Sequence, residues 1–422
     1  MPFRIALSGL AAASTDLKVT GNNIANSGTT GFKQSRAEFA DVYAVTFGGT
    51  TDTSTGNGVR TTTVMQQFNQ GSIDFTDRAL DLAISGQGFF TLQDDKGTSY
   101  TRAGSFHVDA NGTVVNNLNQ RLQVFPTVPN TSPPLFQTTP TDLTLATTDG
   151  PPQATTTIDA GLNINAEDAL PPNAPFDPAD PTTYNSSTSL VVYDSLGAQH
   201  TSTMFYEKTA VPNQWNTYMF VDGNFVPSAN PAPTPPVAPA TYSTTTLTFN
   251  TDGTLNTPTQ VQYATIPGAT LGTGAGNMDL TIDYTNTTQF GGEFSVNSLS
   301  QDGYASGRLS GIDVDNEGIV FARFTNGQST ALGQVAMANF ANPQGLRQLG
   351  DTNWGETFES GSVLLGKPGT GSLGLLQSGA LEASNVDIAT ELVNLITAQR
   401  NFQANAQVIS TADAVTQTII NI

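Results

Sequence analysis

The chain is 422 residues long, with 12 % charged residues, no cysteine, and a formal net charge of −20 from 35 acidic and 15 basic side chains. Such an excess of acid excludes electrostatic binding to nucleic acid or to an anionic membrane, and the missing cysteines exclude disulfides, thiolate catalysis and cysteine-held metal. The length allows about two to four domains with ample core, and with so few charges the surface must be built largely from Thr, Ser, Asn and Gln.

At the N-terminus, Phe3, Leu7, Leu10, Leu17 and Ile24 fall on a three–four spacing, with Ser14 and Gly21 at the seam positions between. That is the period of an amphipathic helix. Residues 1–20 lack a basic n-region, Ser8 and Gly9 interrupt the apolar run, and no small-residue cleavage site follows, so no secretory leader is expected. No stretch approaches the ~18 apolar residues of a membrane-spanning helix. After Ile24 the run NNIANSGTTGFK breaks the helical pattern, and residues 48–58 (GGTTDTSTGNG) have no means of packing a core. Residues 29–63 therefore read as a connecting linker or strut, with Phe32, Phe39 and Tyr43 as apolar anchors.

From Val64 the pattern turns to short β-rich runs punctuated by Gly and Asn-Gly. Asn111-Gly112, flanked by Phe106, Val108, Val114 and Val115, reads as a hairpin turn. Composition shifts again over residues 151–298, which hold 16 of the 24 prolines and twelve acids against the single base Lys208. Strand-like runs at 189–193, 203–206, 217–221, 245–250 and 280–284 predict an inserted β-barrel or sandwich. Residues 230–240 (NPAPTPPVAPA) read as an extended surface loop. Beyond residue 298 the first β pattern resumes, so residues 64–150 and 299–379 are expected to close one discontinuous body around the insert.

Residues 378–422 contain no Gly or Pro after Gly379, and Leu381, Ile388, Leu392, Leu395, Phe402 and Ile409 step by three, four or seven. The seam then shifts to Ala412, Val415, Ile419 and Ile422, as in a coiled-coil-like repeat broken once. One helix of about 35 residues would be roughly 50 Å long and could not bury its seam by itself. The N-terminal helix is the obvious partner, and the net charges of the two ends (+2 over residues 1–40, −3 over 381–422) favour pairing weakly.

Four blocks carry a family resemblance: SGLAAASTDLKVTGNNIANSGTTGFKQSRAEFADVYA (8–44), LDLAISGQGFFTL with YTRAGSFHVDANGTVV (80–92 and 100–115), LGQVAMANFANPQGLRQLGDTNW (332–354), and GALEASNVDIATELVNLITAQRNFQANAQ (379–407). In this order they resemble the bacterial flagellar rod and hook axial proteins, and the length with its large insert points to the hook type. The resemblance implies a mainly β, multidomain fold: an inner helical coiled-coil domain (1–28 and 380–422), the linker (29–63), the β body (64–150 and 299–379) and an acidic outer β domain (151–298). It implies a self-assembling, extracellular subunit of a hollow, bending tube, exported without a cleaved leader by the flagellar type III export apparatus. Its expected partners are further copies of itself, the distal rod protein, the hook cap protein, the hook–filament junction protein and the hook-length control protein. Assembly would rest on Phe3, Leu7, Leu10, Leu17, Ile24, Leu381, Ile388, Leu392, Leu395, Phe402, Ile409, Val415 and Ile419. Asn22, Asn23, Ile24, Ala25, Asn26, Gly31, Phe32 and Lys33 form the family-motif linker.

No catalytic, cofactor or metal constellation stands against that reading. The two histidines, His107 and His200, lack a serine-nucleophile context. DVDNEG at 313–318 has Glu317 and Phe324 where a calcium loop needs Asp or Asn and a bidentate Glu, so it reads as a hairpin. GTGSLG at 369–374 lacks the strand and helix of a dinucleotide site and reads as a joint. Two alternatives remain: a distal rod protein, which would lack the acidic insert, and a secreted β-rich adhesin or glycan-binding module using Tyr193, Tyr206, Trp215, Tyr218 and Phe220.

Overall fold

The computed structural model describes residues 2–42, 56–128, 131, 133–145, 149–229, 242 and 244–420. Tyr43, residues 48–55 of the low-complexity stretch, the Pro-rich loop 230–240 and Ile422 lie outside the described residues. The chain divides into two compact units. The first comprises residues 1–147, 310–323 and 329–422, the second 148–309 and 324–328.

In the first unit, α1 (Pro2–Ala25) packs along the C-terminal helix α3 (Ile388–Ile420). α3 is capped by Asp387, whose carboxylate accepts from the Ala389 N–H and the Thr390 hydroxyl at 2.9 Å each. At 33 residues it is about 50 Å long. The helix begins at Ile388, eight residues after residue 380, the expected start of the inner domain's C-terminal part. Leu381 sits on the strand Ala380–Glu382, which pairs antiparallel with β3 (Ile73–Phe75), so it belongs to no helical seam. Gly379, at φ 65°, turns the chain into that strand.

The described parts of the linker carry two strands. β1 (Ser35–Asp41) and β2 (Val59–Gln66) pair antiparallel along their whole length. The body is a sheet in which β5 (Phe89–Asp94) pairs with β6 (Gly97–Thr101) and with the strand Arg121–Pro126. Successive residues of a strand face opposite sides, and this separates two cores. Phe90 and Leu92 join Leu82 of β4 (Leu82–Ser85), Phe106 and Val335 in one, while Phe89 packs edge-on to Trp354 at 5.7 Å in the other, beside Tyr100 and Phe340. The Asn-Gly hairpin forms as read: Phe106–Val108 pairs with Val114–Asn116, and Gly112 takes φ 83°. GTGSLG turns between the strands Leu364–Gly366 and Leu375–Ser378, two elements before α3 rather than next to it.

Among its described residues the second unit holds two sheets. In one, Thr157–Asn165 pairs in parallel with Thr281–Asp283 and Thr288–Phe290 and antiparallel with Ser295–Gln301. The other runs Ser186–Tyr193, Gln199–Lys208, Gln214–Val221, Thr245–Phe249 and Leu255–Thr257 in antiparallel order. Ile158, Leu162 and Ile164 of the first meet Met204, Tyr206, Trp215 and Leu247 of the second in one core. On the far side of the second sheet, Phe205, Tyr218 and Phe220 are covered by Phe176, which stacks on Tyr218 at 3.8 Å. Tyr206, Trp215, Tyr218 and Phe220 are thus buried, and no open aromatic platform exists at those positions for a glycan.

Candidate assembly surface and its buried junction

The two helices meet through small and polar side chains. Ala6, Ala13, Thr20 and Asn23 of α1 and Glu391 and Ala398 of α3 are buried. A Cβ on Gly9 would come within 2.4 Å of Asn405 Oδ1, so glycine there sets how near the helices lie. Asn23 Nδ2 donates to Glu391 Oε2 at 3.2 Å. Positions 6, 9, 13, 16, 20 and 23 form one heptad stripe, and 391, 398, 405 and 412 form its counterpart. Neighbouring positions on a helix are about 100° apart, so this stripe lies beside the one carrying the large apolar residues of α1.

Those larger residues are left largely uncovered by the chain itself. Phe3 is 50 % and Leu7 51 % exposed, and Ile388, Leu392 and Val415 are exposed as well. Leu10, Leu17, Ile24, Leu395, Phe402 and Ile409 are half-buried, flanking the contact. The side chain of Ile419 lies outside the described residues. Ile5, Val393, Ile396 and Val408 add to the open apolar surface, although the spacing argument did not single them out. Near the open end, Phe3 faces Val408, Ala412 and Val415 across an apolar groove of about 700 Å³. Among the described residues no salt bridge joins the two helices. Burial, and after it the nearby Glu391 carboxylate, raise the Asp16 carboxyl above its ordinary range.

Opposite charges are concentrated instead at the junction with the body. Glu382 is fully buried, and its carboxylate takes Lys33 Nζ at 2.6 Å, Arg102 Nη1 at 3.1 Å and the Gly71 N–H at 2.9 Å. Its backbone carbonyl accepts from the Gly31 N–H at 2.8 Å. Lys33 also donates to the Asn69 carbonyl, and Arg102 to that of Gly86. Burial pulls the Lys33 ammonium below its usual range and Glu382 pulls it back; Arg102 is shifted the same way for the same reasons. Gly31 takes φ 69°, and a Cβ on it would lie 2.5 Å from the Ala103 nitrogen, so only glycine lets the chain leaving α1 cross the segment at Arg102–Ala103 that follows β6.

A second layer of the junction aligns the helix start. Gln34 donates to Glu391 Oε1 at 2.8 Å, and its own N–H is accepted by Asn385 at 2.7 Å. Asn385 Nδ2 reaches the Gln67 and Asn69 carbonyls. Asn23 brackets the Ser35 peptide, donating to its carbonyl and accepting from its N–H. Of the motif residues, Asn23, Gly31 and Lys33 act in this junction. Asn26 closes the end of α1 through the Asn22 carbonyl. Asn22 and Phe32 line a cleft of about 640 Å³ beside it. Ile24 is half-buried and Ala25 exposed. Sequence reasoning missed Arg102, Glu382, Glu391, Gln34 and Asn385. Each lies in a block already singled out, but no local pattern joins them.

The geometry is that of a chain whose two terminal helices are tied to one body and leave apolar faces exposed. Family models match in chain order: the Flagella basal body rod protein (residues 3–33), the Flagellar hook protein FlgE/F/G D1 domain (83–150), the Flagellar basal body protein FlaE D2 domain (162–304) and the Flagellar basal body rod FlgEFG protein C-terminal (377–422). Together they define a flagellar rod-and-hook class of protein. The chain is 39 % identical to the flagellar hook protein FlgE of Salmonella typhimurium and 38 % identical to that of Escherichia coli K12, covering all of both sequences in each case. It is 31 % identical to the FlgE of Borreliella burgdorferi over 99 % of this chain and 98 % of that one. A crystal structure of Helicobacter pylori flagellar hook protein FlgE2 shares the fold at a TM-score of 0.51 and 13 % identity, covering 74 % of this chain and all of that one. The chain belongs to the flagellar hook protein FlgE family.

Proposed function

We propose that the chain is a non-enzymatic structural subunit of the bacterial flagellar hook, polymerising helically into a hollow, flexible tube that couples motor rotation to the filament. The observation that carries this reading is the open apolar face of the helix pair, with Phe3, Leu7, Ile388, Leu392 and Val415 all exposed. Covering such side chains yields about 1.5–3 kcal/mol each, and further copies of the same chain present the complementary face. Contacts of this head-to-tail kind repeat without closing, which gives an open helix. The tube would enclose an export channel, and the chain would reach it through the flagellar type III apparatus. Rod-side, cap, junction and length-control proteins would meet it at the tube's ends or during growth. The inner domain would be the helices, joined through the 29–63 segment to the body.

The test is a pair of full-length variants, Leu7→Asp and Leu392→Asp. Both positions are exposed, so each monomer is expected to keep its far-ultraviolet circular dichroism and its unfolding midpoint. Electron microscopy and sedimentation of each variant should show no tubes under conditions where the parent forms them. Normal tubes from the double variant would overturn the reading.

A further inference from the structure

His200 of the second unit sits where the proposed assembly makes no use of it. It lies at the start of the strand Gln199–Lys208, is 4 % exposed, and has an acceptor on each ring nitrogen: Asp222 Oδ2 at 2.6 Å from Nδ1 and Asp194 Oδ2 at 3.3 Å from Nε2. A neutral imidazole has one N–H and would turn its bare nitrogen toward a carboxylate. Only the imidazolium, with two N–H groups, satisfies both oxygens.

Each carboxylate is itself the hub of a turn. Asp194 Oδ1 accepts from the Leu196 and Ala198 N–H groups at 2.9 and 2.8 Å and so shapes the 194–198 turn. Asp194 Oδ2 also accepts from Thr273 Oγ1 at 2.6 Å, and Ser195 Oγ accepts from the Gly276 N–H at 2.8 Å. Those two bonds hold the glycine-rich segment 272–276, which follows the short helix α2 (Gly268–Leu271). Asp222, at φ 49°, opens the turn between Gln214–Val221 and Asn224–Val226, and its Oδ1 accepts from the Thr201 N–H at 2.9 Å.

We propose that His200 is a proton-operated clasp: as the imidazolium it ties the 194–198, 222–223 and 272–276 loops together, and on losing its proton it lets them separate. The charged groups facing the ring are Asp194 and Asp222. The third element contributes the neutral Thr273, and its acid, Asp279, is engaged by Thr265 Oγ1 at 2.5 Å. On the ring's own strand, Glu207 is taken by Asn216 and Tyr218, and Lys208 by the Ala166 and Asp168 carbonyls. Burial disfavours the cation, but the hydrogen bonds to Asp222 and Asp194 outweigh it and hold the ring above its ordinary range. Burial likewise opposes the two carboxylates, yet the Thr273 and Ala198 hydrogen bonds with that of His200 hold Asp194 low, and the His200 and Thr201 bonds hold Asp222 low. A raised folded value means that the stabilisation is complete below the ordinary histidine pKa and is lost as pH rises through the raised one.

The full chain suits the test because His107 is its one other histidine. Imidazole NMR signals, assigned with a His107→Gln variant, should place the His200 midpoint above the ordinary histidine value. Hydrogen exchange, corrected for its intrinsic pH dependence, should show protection in all three loops falling together through that midpoint, about tenfold for each unit by which the midpoint is raised. His200→Gln should show the low protection at every pH. If that variant does not fold, Asp222→Asn, at a half-open turn, should lower the His200 midpoint. A midpoint at or below the ordinary value, pH-independent protection, or an unmoved midpoint in Asp222→Asn would each overturn the clasp.

Discussion

The strand Ala380–Glu382 and the helix that begins six residues after Glu382 are held in opposite ways. The strand is locked inside its own chain by pairing to β3 and by a fully buried carboxylate between two cations. The helix touches its partner through Ala398, Glu391 and Asn405 and keeps its larger apolar residues outside. Internal specificity therefore sits in the junction, and the helices hold apolar area in reserve. In a subunit that must fold singly and then join others, that division fixes where the helices start without exhausting what they can bury.

The strongest challenge to this contrast is Glu382→Ala. It leaves Lys33 and Arg102 buried without their anion, a situation that costs about 3–5 kcal/mol. Trp354 lies in the first unit and Trp215 in the second, so denaturant unfolding in a Trp215→Phe background reads the first unit alone. A loss below about 1 kcal/mol would mean that the node is not what anchors the strand. Gly31→Ala should cost about 1–3 kcal/mol, through the left-handed backbone and the Ala103 contact, in the same measurement. The smallest effect sharpens the other side of the comparison. Asp16→Asn removes a carboxyl that burial and Glu391 make reluctant to ionise. Ionising such a group opposes pairing as pH rises above the ordinary carboxyl range. The parent's α1 amides should therefore lose protection between acidic and neutral pH, whereas the variant should stay flat and gain a few tenths of a kcal/mol at pH 7.

Sequence period was enough to find both helices, the Asn-Gly hairpin and the strand runs of the insert, because each depends on neighbours three, four or two positions away. It failed where the cause was distant. Leu381 continues the heptad count perfectly well, yet β3 claims it, and no local pattern announces a partner three hundred residues upstream. The β1–β2 pair was hidden for the same reason, in a run of threonines with no apolar alternation. The spacing of the large apolar residues on α1 leads to the expectation that they form the seam against the C-terminal helix. The contact within the chain instead uses Ala6, Gly9 and Ala13, residues whose role is closeness rather than area. Glu382 and Arg102 were invisible as a pair because a charged residue looks solvated until the fold surrounds it.

One consequence of the Glu382 node concerns mechanics. Any twist delivered to α3 enters the body through residues 383–387, and any twist on α1 enters through the segment ending at Lys33. Both routes pass the Glu382 carboxylate, so the two rods share one mooring there. Neither can be dragged without tugging the other, and slack in one mooring would be felt at once by both.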